Sequence, residues 1–418
     1  MLNATASPSE PQSRTRRRTV VANDFPGADL GAKINAAGRE LGASPGEVLV
    51  KNGGIISTQV IVNFGHTLRF LPGTYTLNTQ LLWEGAFLLK SGTTVVGSGW
   101  DTVIVEPAKT GWTVFQSFND IRSRPAHSGA DSDISVSNLQ IKGANPGVEG
   151  GVRQTVSLGN CQRCLVENLW LNGTGVIGVQ AGGNSLKGNH AADVAIRKNL
   201  FTRVASQAVA VVNGRDVKID GNTFEASGRC CLQGMTAIDL EPNEPSDIIR
   251  NIEITNNRID SSNSSFLHGN AILVQNSVRT KQFGPVLVKN NTVIGGGLVP
   301  NSAGNVATGI YVAGFTEDVD VIDNVVSRVA HSGIRLENTT RNRVSGNRVV
   351  SAGTGGILAF EVTDTTDSEI FDNVVIVDPN SPLGNEVIQE AGKSARNTYA
   401  RNSGSKGVLS HTTTRIRP

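Results

Sequence analysis

Apolar and polar residues alternate along this chain in short bursts, and the bursts recur. One phrase reads apolar, x, apolar, x, x, Asn, apolar. It appears as I-S-V-S-N-L at Asn138, L-V-E-N-L at Asn168, V-A-I-R-K-N-L at Asn199 and V-K-I-D-G-N-T-F at Asn222. It continues as I-E-I-T-N-N-R-I at Asn257, V-L-V-K-N-N-T-V at Asn291 and V-D-V-I-D-N-V-V at Asn324. R-V-S-G-N-R-V at Asn347, E-I-F-D-N-V-V at Asn373 and a weaker R-N-T-Y at Asn397 complete the series. The spacings are 30, 31, 23, 35, 34, 33, 23, 26 and 24 residues. A second phrase sits between them: a small residue, Ile, x, then Leu or Val. Its copies are A-I-D-L around Asp239, A-I-L-V around Leu273, G-I-Y-V around Tyr311, G-I-R-L around Arg335 and G-I-L-A around Leu358.

Each phrase predicts a strand of period two, with one face inward and one outward. Two or three such strands per repeat, each bounded by Gly or Asn, describe one coil of a β-solenoid. A single coil cannot bury its apolar face, but stacked coils form continuous parallel sheets around one core. The recurring Asn suits the bend because it tolerates the left-handed conformation. Its amide can also bond to the Asn of the next coil, making a ladder. The fold class expected is therefore all-β, a parallel solenoid of about ten or more coils.

The pattern changes at the N-terminus. Leu30, Ile34, Ala37 and Leu41 fall on one face of a helix, and Gly42 is a natural stop. A terminal coil exposes core and strand edges, so this helix is expected to cap the solenoid. The expected organisation is an arm over 1–23, the cap helix and first coils over 24–107, the stem over 108–400 and a tail over 401–418.

Composition agrees with this picture. The chain has 418 residues, with 47 Gly and 37 Asn but only 2 Met. Charged residues are 18%, below the usual ~25%. Turn formers are in excess and helix formers scarce. The net charge of +2 gives no basic face for nucleic acid. No run of apolar residues is long enough to span a membrane, and no signal peptide is visible. Cysteines form two local pairs, Cys161/Cys164 and Cys230/Cys231, for which a disulfide, half a metal site and buried thiols all stand open.

The chemistry is sought where polar side chains face outward from the second phrase. Asp239 and Glu241 are two apart on one strand, with Cα atoms ~6.6–7 Å apart. Their carboxyls could then reach the ~5–9.5 Å separations that glycosidases use, one as acid and the other as base or nucleophile. The same pair could instead hold Ca²⁺. His268 and His331 precede strands in this stretch, and His268 is a candidate acid or base. Arg335 and Glu337 share a face three coils beyond Asp239, where a plain salt bridge is the alternative. Tyr311, Gln180 and Gln275 also face outward as candidate substrate contacts. No phosphate loop, zinc-protease or nucleophile-elbow motif is present.

The phrases D-F-P-G-A-D-L-G-A-K-I-N-A-A, P-G-T-Y and G-S-G-W-D-T-V-I resemble the opening of the pectate-lyase-like superfamily. That resemblance implies a right-handed parallel β-helix and carbohydrate chemistry: hydrolases, lyases, epimerases, fructan-cleaving transferases or phage tailspikes. It implies a groove along one sheet, cleavage of a polysaccharide or oligosaccharide, and an extracellular or periplasmic location. Arg335 then resembles the proton-abstracting Arg of pectate lyases. H-G-N at His268 is similar to the G-H-G of polygalacturonases, whose N-T-D and D-D motifs this chain lacks. The leading expectation is a glycoside hydrolase or transglycosylase using Asp239 and Glu241, with no required cofactor. The alternatives are a lyase with an Arg or His base and Ca²⁺, and a non-catalytic glycan-binding stem. Carbohydrate is the expected partner, with no nucleic acid and no membrane, and a homotrimer is compatible with a tailspike-like stem.

Overall fold

The computed structural model describes residues 18–404 except 79–84, 107–112, 121–128, 144–153, 184–189, 205, 226–235, 263–269, 297–307, 330, 351–357 and 377–387. Two further short strands, Gly407–Val408 and Ile416–Arg417, are also described. The arm before residue 18, His268, His127 and the Cys230/Cys231 pair lie outside the described residues.

Short strands stack in parallel to form three faces of a solenoid. The front sheet contains Thr236–Leu240, Asn270–Gln275, Thr308–Ala313 and Ser332–Glu337 among its twelve strands. The second sheet contains Ile248–Thr255 and Val286–Lys289. The third contains Arg258–Asp260 and Thr292–Gly296. Inward Val, Ile, Leu and Phe from all three faces make one continuous core. Phe87 stacks on Phe115 at 4.9 Å, and Phe201 on Phe224 at 4.8 Å, so like residues pile along the axis.

The small residue that opens each front-sheet phrase has a packing cause. A Cβ at Gly309 would stand 2.4 Å from Val326 Cγ1, and one at Gly333 would stand 2.5 Å from Val349 Cγ1. The front strands press against the third sheet at this point, and only a small residue fits.

The expected Asn ladder exists between the second and third sheets. Asn199, Asn222, Asn257, Asn291, Asn324, Asn347, Asn373 and Asn402 are joined Nδ2 to Oδ1 in sequence, at 2.9 to 3.0 Å. Three positions differ from the sequence pattern. Asn138 and Asn168 stand one residue earlier, on the surface, and the buried ladder position beside them is taken by Leu139 and Leu169. Asn397 belongs to a second, shorter stack with Asn342 and Ser368 at another bend. The left-handed residue is the one before each ladder Asn, for example Asn256 (φ 57°), Asp323 (φ 55°) and Arg401 (φ 51°). Bending and bonding therefore fall on adjacent residues.

The N-terminal helix spans Leu30–Leu41, and all four predicted residues are buried. Asp29 caps it, accepting from Gly31 N at 2.7 Å and Ala32 N at 3.2 Å. The same carboxylate accepts from Thr58 Oγ1 at 2.6 Å, which ties the cap to the first coil. The boundaries of arm and tail require correction. Arg18–Val21 is not arm but a strand paired in parallel with Gly46–Val50, at the edge of the second sheet. At the other end Asn402 completes the ladder, so coiling continues past residue 400.

Cys161 and Cys164 are disulfide-bonded, with Cα atoms 6.3 Å apart. Glu106 is sealed in the core, where it accepts from Thr155 Oγ1 at 2.8 Å.

Candidate active site

Strict register converts the outward residues of the front sheet into one column. It runs Gln116, Ser157, Gln180, Ala210, Asp239, Leu273, Tyr311, Arg335, Glu361, Gln389. Asp239 and Arg335 are three rungs apart, about 14 Å along the axis. A parallel column two residues later carries Gln275, Ala313, Glu337 and Thr363.

Asp239 differs from the exposed acid that alternation predicts. Only 2% of its surface is accessible. Gln207, one rung below, donates from Nε2 to its Oδ2. The Asp239 Oδ1 is buried without a hydrogen-bond partner, and the half-buried Glu241, two residues on, is near enough for its charge to act on Asp239. Two carboxylates that close cannot both ionise at ordinary cost. Burial and the Glu241 charge push the Asp239 carboxyl well above the usual carboxylate range. This favours the protonated form of Asp239. Among the described residues no cation is paired with either acid.

A second cluster forms two to four rungs above. Arg335 Nη2 pairs with Glu337 Oε2 at 2.8 Å, and its Nε lies 3.3 Å from Glu361 Oε2. Its guanidinium carbon sits 4.9 Å from the Tyr311 ring centroid. The Tyr311 hydroxyl donates to Glu337. Burial and that acceptor push the phenol up. Ser332 Oγ bridges His331 Nδ1 at 2.7 Å and Glu361 Oε2 at 2.9 Å. Burial holds His331 below its usual pKa. Four predicted residues, Tyr311, Arg335, Glu337 and His331, thus meet in one network.

Gln180 lies two rungs below Asp239, where Gln154 Nε2 donates to its Oε1 at 2.7 Å. Gln275 faces outward one rung above Asp239, in the neighbouring column, and is half-buried. His268 lies outside the described residues, so its place beside Asp239 stays an expectation. No group of three or more His, Cys, Asp or Glu among the described residues is arranged to hold a metal ion.

Sequence pattern missed Gln207, Ser332 and Glu361. Glu361 was hidden by G-I-L-A, which places Leu358 and Phe360 outward. The register instead buries Phe360 beside Ile334 and sets Glu361 beside Arg335. The better match was A-F-E-V, with Ala359 as the small residue, and a slip of one reverses every side chain.

Residues 126–314 match the family model for a right handed beta helix region. A comparison with curated proteins finds no match. Among solved structures, DFA-IIIase from Arthrobacter chlorophenolicus in complex with GF2 is similar at TM-score 0.64 and 15% identity, covering 96% of this chain and 99% of that one. The mannuronan C-5 epimerase A-module of Azotobacter vinelandii gives TM-score 0.61 and 15% identity over 95% of this chain and 97% of that one. The tailspike of an E. coli bacteriophage in complex with pentasaccharide gives 0.62 and 13% over 93% and 72%. With its three stacked parallel faces and N-terminal cap, the chain is a right-handed parallel β-helix protein of the pectate-lyase-like fold.

Proposed function

We propose that the chain cleaves glycosidic bonds in a polysaccharide or oligosaccharide lying along the front column, with Asp239 and Glu241 as the acting carboxyl pair. The observation that carries this reading is the pair itself: a buried carboxyl, pushed towards its protonated form, two residues from a second, more exposed carboxyl, with no cation beside them among the described residues. A merely structural acidic pair is normally compensated by cations; here burial and the neighbouring charge instead favour a proton on Asp239 that could be transferred.

The step follows from that arrangement. The Asp239 proton passes to the glycosidic oxygen as its bond to the anomeric carbon breaks. The pair, now doubly negative, stabilises the positive charge that develops on the sugar ring. A water oxygen bonds to the anomeric carbon and its proton returns to the pair. An acceptor hydroxyl in place of water gives transglycosylation by the same balance. The solved relatives support carbohydrate as the substrate, since their names and complexes include an epimerase of mannuronan, a pentasaccharide and GF2. A polymeric substrate supports action outside the cytoplasm.

A lyase would need Arg335 to release a proton and leave two ion pairs, an arrangement poorly suited to a base. The test is incubation with a panel of polysaccharides, read by reducing ends and by absorbance of unsaturated uronates. Reducing ends without absorbance, lost at least ~100-fold in Asp239→Asn and Glu241→Gln, is the expected result. Unsaturated product made equally by both variants overturns the reading.

A further inference from the structure

The front sheet is nearly devoid of positive charge. Its twelve strands, from Val60–Val62 to Ile388–Ala391, counting only residues 207–213 of Gln207–Asp220, whose remainder turns into the second sheet, contain one basic residue, Arg335. They contain four acids, Asp239, Glu337, Glu361 and Glu390. Glu390 is turned inward, where Asn397 Nδ2 donates to it at 2.8 Å. The other three, with Glu241 just beyond its strand, lie on or beside the outward columns.

The single cation is already engaged. Glu337 at 2.8 Å and Glu361 at 3.3 Å flank the Arg335 guanidinium, and Tyr311 lies across it. Arg279 and Lys281 stand in the turn that leaves the sheet one rung above Asp239. Arg279 is stacked on Phe315 at 3.8 Å. In the sequence, the connections 263–269, 297–307, 351–357 and 377–387 contain no Lys or Arg, and 226–235 contains only Arg229.

From this we infer that the site takes an uncharged glycan and excludes polyuronates. The inference rests on the reading of Asp239 and Glu241 as the cleavage site and names its substrate class. A polyuronate laid along the column would bring one carboxylate per sugar towards Asp239, Glu241, Glu337 and Glu361, with no free cation on the front strands among the described residues to meet it. Like charges at such range are repelled, most strongly at low ionic strength. Sugar hydroxyls, by contrast, find donors and acceptors in the partly exposed Gln180, Gln207 and Gln275.

The experiment uses the full chain at low salt with two sets of soluble polymers: dextran and inulin as uncharged glycans, polygalacturonate and alginate as polyuronates. The expected result is cleavage confined to the uncharged set and abolished in Asp239→Asn, whose fold is checked by circular dichroism. Polyuronate cleavage that is lost in Asp239→Asn overturns the substrate class while leaving the cleavage site standing. Cleavage of neither set overturns both. A second measurement is independent of turnover. In Glu337→Gln/Glu361→Gln the Arg335 charge is released, and binding of oligogalacturonate is expected to rise about tenfold or more over wild type. Wild-type binding as tight as that of the double variant overturns the inference.

Discussion

Asn257 donates from Nδ2 to Asn291 Oδ1 at 3.0 Å, although 34 residues separate them in the chain. Its own Oδ1 accepts from Asn222 Nδ2 at 3.0 Å, and its Nδ2 also reaches Ile219 O at 2.8 Å. Truncation would remove buried hydrogen bonds to the coils on both sides, at Ile219 and Asn222 and at Asn291. Asn257→Ala is therefore expected to lose roughly 2–4 kcal/mol. The surface pair is the control: Asn168, which bonds Asn138 at 2.7 Å and has φ 52°, is expected to tolerate Gly within about 1 kcal/mol. Denaturant unfolding of both variants checks the contrast.

Asp239 should weaken the fold it serves. Its carboxyl is pushed up in the folded state, chiefly by burial and then by Glu241. The folded protein thus binds more protons than the unfolded chain once pH exceeds about 4. This acid's contribution is full below that pH and is lost as pH rises through the folded value. Asp239→Asn is expected to be inactive yet to melt at higher temperature than wild type at pH 8. Calorimetry at pH 5 and pH 8 would show the difference widening with pH.

Glu106 makes the same argument without any role in the site. Burial raises its carboxyl to about 7, against the ordinary 4.5, while Thr155 partly offsets that shift. Stability is expected to fall by roughly 3 kcal/mol between pH 4.5 and about 7, then level off. Glu106→Gln should flatten that slope, measured as urea midpoints across the same window.

His331 offers a spectroscopic test of the upper cluster. Burial lowers its pKa, Arg335 adds to the lowering, and Glu361 opposes it. Removing the opposing charge in Glu361→Gln should move the His331 titration further down from the usual 6.5, and NMR of the ring reads it directly. An upward movement would contradict the arrangement around Ser332.

How much of this was legible in sequence depended on whether a position is fixed by local pattern or by stacking. The cap helix was legible because Leu30, Ile34, Ala37 and Leu41 share one face whatever lies beneath them. The ladder from Asn199 to Asn373 was legible because each coil repeats the same bend. Asn138, Asn168 and Asn397 imitate the phrase but occupy other positions, a distinction set by which coil lies above and below. Outwardness was readable for Asp239, Tyr311 and Arg335, and failed at Glu361 where G-I-L-A competed with A-F-E-V. Burial of Asp239 was not readable, since alternation states which side a residue takes but not what then covers it.

The shared column has a consequence for length. Every outward group stands on a rung, and rungs advance by about 4.8 Å. Removing or duplicating one coil between Asp239 and Tyr311 would shift the upper cluster by one whole step while leaving each group's own surroundings repeated. The protein is in that sense a graduated gauge. The size of oligosaccharide that spans from the carboxyl pair to the tyrosine can change only in discrete increments, one coil at a time.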